Sequence, residues 1–144
     1  MKNYDNEYWA ERVEYYNKTS WVKNKDFLDS FLNLLPKQKY DSILEVGIGT
    51  GAVAEKVVEK LGPLIGIDIS PDMISKITHL KITAVVGDAH NLKYENDTFD
   101  LIYIRNLIHY LDNPEKAISE VLRCLKPNGF FLFSQVVPPE DFIS

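Results

Sequence analysis

The chain has 144 residues, 45% hydrophobic and 26% charged, which suits one domain with a real core and is too short for two ordinary ones. Sixteen basic against twenty-one acidic residues give a net charge of −5, which argues against nucleic acid as the main partner, because that binding rests on Lys and Arg neutralising phosphates. No apolar run approaches the roughly 20 residues of a membrane helix, Met1–Ala10 lacks the layout of a secretory signal, and the single Cys124 excludes an internal disulfide or a cysteine-based metal cluster. A cytoplasmic chain with a small-molecule partner is the expectation.

The first forty residues read as helical. Trp21, Val22, Phe27, Leu28, Phe31, Leu32 and Leu35 build one apolar face, Thr19 or Ser20 can cap its start, and Pro36 ends it. Tyr4, Tyr8, Trp9, Tyr15 and Tyr16 make the upstream segment rich in aromatic residues, suited either to a lid or to an amphipathic helix covering the sheet. Residues 1–40 are therefore set apart from a domain over 41–144.

From Asp41 the pattern changes to short apolar runs separated by helical stretches. Ser42–Val46, Leu64–Ile67, Thr83–Val86, Phe99–Ile104 and Phe130–Val137 are predicted strands, mostly apolar at consecutive positions as in a parallel sheet covered on both faces. Between the last two, Asn113 caps and Pro114 opens a helix whose stripe is Ala117, Ile118, Val121, Leu122 and Leu125, and Lys126-Pro127-Asn128-Gly129 stops it. Cys124 lies in that stretch as a small core residue. Alternation of strand and helix with right-handed crossovers predicts an α/β fold, an open doubly wound and mostly parallel sheet.

Ligands of such sheets bind beyond the carboxyl ends of the strands. Glu45-Val46-Gly47-Ile48-Gly49-Thr50-Gly51 falls there, at the junction of the first strand and the next helix, and Asp68 ends the second strand seventeen residues after Gly51. Glycines allow a sharp turn and close approach of a ligand to the main chain, and a strand-end carboxylate can accept from ribose hydroxyls. An adenosine-containing cofactor is implied. Gly47, Gly49 and Ala52 also satisfy the G-x-G-x-x-A pattern of dinucleotide enzymes, so the loop alone leaves the cofactor open.

The later motifs narrow it. Gly87-Asp88-Ala89 ends the third strand, followed by Asp97-Thr98-Phe99-Asp100-Leu101-Ile102 and Leu125-Lys126-Pro127-Asn128-Gly129-Phe130-Phe131. In this order the motifs resemble the class I S-adenosylmethionine (SAM) dependent methyltransferases, the small-molecule group in particular, over roughly Asp41 to Val137. The resemblance implies a Rossmann-like sheet of strand order 3-2-1-4-5. It implies that Glu45, Gly47 and Gly49 line the methionine part of SAM, Asp68 holds the ribose, Ile69 and Met73 flank the adenine, and Asp88 and Ala89 meet its edge. Arg105 would contact SAM through its backbone, and Asn106 and His109 would face the methyl acceptor. Each residue also has a plain structural reading: Glu45 as a helix-terminus partner, Asp88 as a turn residue, Met73 and His109 as core. Asp100, inside its strand, reads as a folding residue, and His79 and His90 show no metal-ligand spacing. No catalytic base stands out; His109 and Tyr16 are the candidates.

The family sheet continues with a helix and two more strands, the sixth and seventh, which this sequence lacks, ending at Ser144 seven residues after Val137. The expectation is that the edge at Phe130–Val137 is completed by a second copy, another subunit or a longer chain. Three functions follow: a small-molecule methyltransferase, a non-catalytic SAM-binding subunit that needs a partner, and an NAD(P)-dependent oxidoreductase.

Overall fold

The computed structural model describes residues 25–135. The elements are α1 (Lys25–Leu32), β1 (Ile43–Val46), α2 (Ala52–Leu61), β2 (Leu64–Asp68), α3 (Pro71–Ile74), β3 (Ile82–Val86), β4 (Phe99–Arg105), a 3-10 turn (Ile108–Tyr110), α4 (Pro114–Cys124) and β5 (Leu125–Ser134). The strands form one sheet in the order β3-β2-β1-β4-β5, every neighbouring pair parallel. Fold class and strand order are those anticipated. The upstream aromatic residues, Tyr16 among them, and Val136–Val137 lie outside the described residues.

The central strands are buried on both faces, and the pleat divides their side chains between two cores. Ile43, Leu101 and Tyr103 join Leu28 and Phe31 of α1 and Val53, Val57 and Val58 of α2. Leu44, Val46, Ile102 and Ile104 join Val121 and Cys124 of α4 on the other face. Because α1 shares its core with β1 and β4, it covers one face of the sheet.

The helix ends follow their local chemistry. In α3, Ser70 accepts from the Met73 amide at 3.2 Å with Pro71 in the first turn; in α4, Asn113 accepts from the Lys116 amide at 3.1 Å with Pro114 behind it. The buried face of α4 is Ala117, Glu120, Val121 and Cys124, rotated from the expected stripe, and Leu122 stands 56% exposed. The rotation follows from Glu120, whose carboxylate accepts from the buried amide of Leu92 at 2.9 Å and draws that edge of the helix inward.

At the other end of the sheet Asp100 has the structural part expected of it. Its carboxylate accepts from the amides of Asp41 (2.8 Å) and Ser42 (3.1 Å), fastening the start of β1 to β4. The fifth strand begins earlier than expected: Leu125 pairs with Phe99 and Phe130 with Leu101, so Lys126–Gly129 form an extended bulge between two paired positions.

Candidate functional site

The site is built where β1 and β2 end. Gly47, Gly49 and Gly51 have φ of 80°, 61° and 83°, left-handed values that a residue with a Cβ rarely adopts. The amides of Gly47 and Ile48 both donate to the Ile67 carbonyl, at 2.8 and 2.9 Å, which folds the loop back over β2. Ile48 drops its side chain onto Gly66, where an added Cβ would lie 2.1 Å from the Ile48 Cδ1. Asp68 then locks the turn: Oδ2 accepts from the Gly49 amide at 2.8 Å and Oδ1 from the Ser70 amide at 3.0 Å. One carboxylate thus joins the glycine loop to the start of α3. Burial pushes the Asp68 pKa up against the pull of the Ser70, Gly49 and Ile69 amides, leaving it raised. Each oxygen keeps acceptor capacity for a ligand hydroxyl.

Glu45 is the loop's buried acid, 3% exposed. It pairs in register with Tyr103 on β4, whose hydroxyl donates to Glu45 Oε1 at 2.5 Å. Burial dominates its titration, raising the pKa to about 8 despite the Tyr103 hydrogen bond and the nearby positive charge of Arg105, with Asp68 adding to the rise. Tyr103 is in turn held far above the ordinary phenol range by burial first and the Glu45 charge second. Arg105 is itself buried, its guanidinium carbon 5.0 Å from the ring centre of Phe27 and 5.5 Å from that of Phe31, so α1 leans on this corner of the site.

Past β2 and β3, Ile69 is 45% exposed beside Asp68, whereas Met73 is 1% exposed and packs in the core. Asp88 Oδ1 accepts from the His90 amide at 2.9 Å and lies 2.8 Å from the His90 Nδ1. The Asn113 amide donates to the His90 Nε2 at 3.1 Å, which assigns the ring hydrogen to Nδ1. Asp88 is lowered overall: burial raises it, but the hydrogen bonds from the His90 amide and ring outweigh that. Ala89 packs against the α4-side core. Asp88, His90 and Asn113 thereby tie the end of β3 to the cap of α4.

After β4, Asn106 takes a left-handed φ of 52° and its amide donates to the Ser134 carbonyl at 2.8 Å, turning the chain across the end of β5. His109 is exposed rather than part of the core; its Nδ1 is 2.5 Å from the Gln135 Nε2, and its ring centre is 3.9 Å from that of Tyr110. His79 Nδ1 accepts from the Lys81 amide at 3.1 Å. Among the described residues, no three His, Cys, Asp or Glu side chains gather to hold a metal, and no helix is long and apolar enough to cross a membrane. The structure therefore brings Glu45, Gly47, Gly49, Asp68 and Arg105 to the ends of three adjacent strands, with Asp88 and Ala89 at the end of the fourth.

Two groups escaped the sequence. Tyr103 looks like any apolar strand residue until the register sets it opposite Glu45. Glu120 and Arg123, three apart on α4, look like a solvated pair. Instead Arg123 donates to Glu120 (Nε, 2.7 Å) and to the carbonyls of Tyr94 (2.8 Å) and Leu92 (2.9 Å), clamping the β3–β4 connection.

The chain belongs to the methyltransferase domain family, whose sequence model matches residues 44–133, and its parallel five-stranded sheet is that of the class I SAM-dependent members. Phosphoethanolamine N-methyltransferase 2 of Caenorhabditis elegans is 26% identical over 136 residues, spanning 88% of this chain and 30% of that protein. The same fold occurs in Haemonchus contortus phosphoethanolamine N-methyltransferase 2 in complex with phosphomonomethylethanolamine and S-adenosylhomocysteine (TM-score 0.74, 21% identity, 93% of this chain and 36% of that one). It occurs too in the complex between the Haloferax volcanii Trm112 methyltransferase activator and a candidate methyltransferase (TM-score 0.72, 24% identity, 88% and 57% covered). The chain spans 62%, 30% and 42% of the length of three curated relatives it matches.

Proposed function

We propose that this chain binds SAM at the ends of β1, β2 and β3 and transfers its methyl group to a small-molecule acceptor. The observation that carries the reading is the Gly49–Asp68 link: a left-handed glycine loop whose amide is fixed by the acid at the end of the adjacent strand. The donor chemistry fits. Glu45 offers a carboxyl to an ammonium group, Gly47 and Gly49 leave room for the methionine chain, and Asp68 keeps lone pairs for the ribose. Ile69 presents an apolar face to the adenine, Asp88 and Ala89 its edge, and Arg105 its backbone. Met73, buried at the start of α3, lies in the core near the proposed adenine site.

SAM supplies a methyl group on a sulfonium that carries its own leaving group. The protein's part is to hold acceptor, methyl and sulfur in line, so orientation supplies most of what the chain must provide. Where the acceptor must lose a proton, His109 on its exposed turn and Tyr16 are the candidate bases. Relatives that methylate phosphoethanolamine, a sterol and norajmaline support a small acceptor. The chain's working place is the cytoplasm. A partner at the exposed side of β5, where Phe133 is 52% exposed, fits the reading, as does the activator complex of the Haloferax neighbour. The oxidoreductase reading has no support from the relatives.

The test is transfer of labelled methyl from SAM to a pool of cellular small molecules. Label in the low-mass fraction, absent with an Asp68→Ala chain, is the expected outcome. Folded chain that binds SAM and labels nothing, alone or with cell extract, would favour a non-catalytic SAM-binding subunit.

A further inference from the structure

The proposed cofactor site leaves one buried polar group unexplained. Tyr103 is fully buried among apolar neighbours, with the Phe31 ring edge-on at 6.2 Å. A buried hydroxyl without function is an expense a phenylalanine would avoid, since a polar group out of water is unfavourable unless it is hydrogen-bonded. Its partner is Glu45 Oε1 at 2.5 Å. The charged groups acting on Glu45 come from both neighbouring strands: Arg105, with Tyr103, from β4 and Asp68 from β2. The core helices α1 and α2 bring apolar Phe31, Val53 and Val57 to this face.

We propose that Tyr103 is a positioning residue of the site: its hydroxyl holds the Glu45 carboxyl between Arg105 and Asp68 and sets when that carboxyl releases its proton to meet a cationic ligand group. The inference rests on the SAM reading of the site. In the empty protein burial keeps Glu45 a carboxylic acid at neutral pH, with the pKa pushed up to about 8. An arriving ammonium converts it to a carboxylate; the proton leaves to solvent, and the ion pair replaces the acid. The Tyr103 hydrogen bond stabilises the carboxylate, because a donor favours the charged acceptor. Tyr103 therefore brings the switch within reach of physiological pH, and the site selects a ligand that carries an ammonium group on a chain extending from its sugar.

Two measurements test this. In the empty chain labelled with 13C at the glutamate carboxyl, the signal lost in Glu45→Gln should titrate near pH 8, and Tyr103→Phe should move its midpoint upward. A midpoint in the ordinary range of about 4.3, or one that Tyr103→Phe leaves in place, overturns the proposal; a Tyr103 that only packs the core would alter stability and leave this midpoint alone. Second, calorimetry with SAM in buffers of different ionisation enthalpy should count about one proton released per SAM between pH 6 and 7.5, below the ordinary α-amino range of about 7.7–8.0. SAM affinity should fall roughly tenfold per pH unit toward pH 6, and Glu45→Gln should release no proton. Methylthioadenosine, which lacks the ammonium, should release none from the unaltered chain. SAM binding without proton release overturns the inference and leaves the SAM reading standing. Absence of SAM binding overturns both, whatever the carboxyl midpoint.

Discussion

The Tyr103 hydroxyl stands 2.5 Å from Glu45 Oε1, joining two residues 58 positions apart in sequence and opposite one another on adjacent strands. This contact puts a titratable acid inside the sheet, between the glycine loop and the cation of Arg105. Burial of that acid, which the Tyr103 hydrogen bond only partly offsets, gives the unliganded protein a stability that depends on pH.

Folded Glu45 has a pKa near 8 against an ordinary 4.5, so the native state binds more protons between those values. Its contribution is fully present below about pH 4.5 and is lost as pH rises through 8. The unliganded chain should lose stability by up to roughly a few kcal/mol from this group, seen as a falling unfolding midpoint between pH 5 and 9. Glu45→Gln should flatten that slope and raise the midpoint at pH 8 while weakening SAM binding. An unchanged slope in the variant would place the pH dependence elsewhere.

Asp68 is expected to hold the loop even without ligand. Replacing it by alanine strands the amides of Gly49 and Ser70, which it now satisfies. The loss should be about 1–3 kcal/mol, with faster hydrogen exchange at those two amides than in the unaltered chain. Exchange protection that survives in Asp68→Ala would show that the Ile67 carbonyl alone secures the turn.

Gly66 is a packing requirement inside β2. An alanine there would set its Cβ 2.1 Å from the Ile48 Cδ1 and 2.9 Å from the Ile48 Cβ, so the loop residue itself must move. Gly66→Ala should destabilise by about 1–3 kcal/mol or more and weaken cofactor binding, because Ile48 sits between Gly47 and Gly49. Chemical unfolding with a SAM titration checks both; full affinity in the variant would mean the loop absorbs the shift.

The Glu120–Arg123 clamp should show on the acid side. Glu120 is held below the ordinary carboxyl range, first by the Arg123 hydrogen bonds, with burial opposing and the Leu92 amide assisting. Its contribution is therefore present above the ordinary glutamate pKa and lost as pH falls through the lowered one. Glu120→Ala should lower the unfolding midpoint by about 2–8 °C at pH 7 and by less at pH 3. An equal drop at both pH values would assign the effect to packing alone.

What could be read in advance divides along physical lines. The strands were legible because β1 and β4 are mostly apolar at consecutive positions, as a covered parallel sheet demands. Loop and acid were legible because glycines at a strand-helix junction and Asp68 at the next strand end have few other uses. The Glu45–Tyr103 pair was not, since register between strands 58 residues apart is a tertiary fact. The α4 face was not legible because Ile118 and Leu122 are more apolar than Glu120, yet the carboxylate is buried by satisfying the Leu92 amide. Met73 sits at a spacing that serves core and ligand equally, and packing put its side chain in the core.

The most direct test is calorimetric titration of the purified chain with SAM, with NAD(P)H as the control ligand. The expected result is micromolar SAM binding, no NAD(P)H binding, and at least a tenfold loss of SAM affinity in Asp68→Ala. Folded chain that ignores SAM, or that takes NAD(P)H in its place, would contradict it.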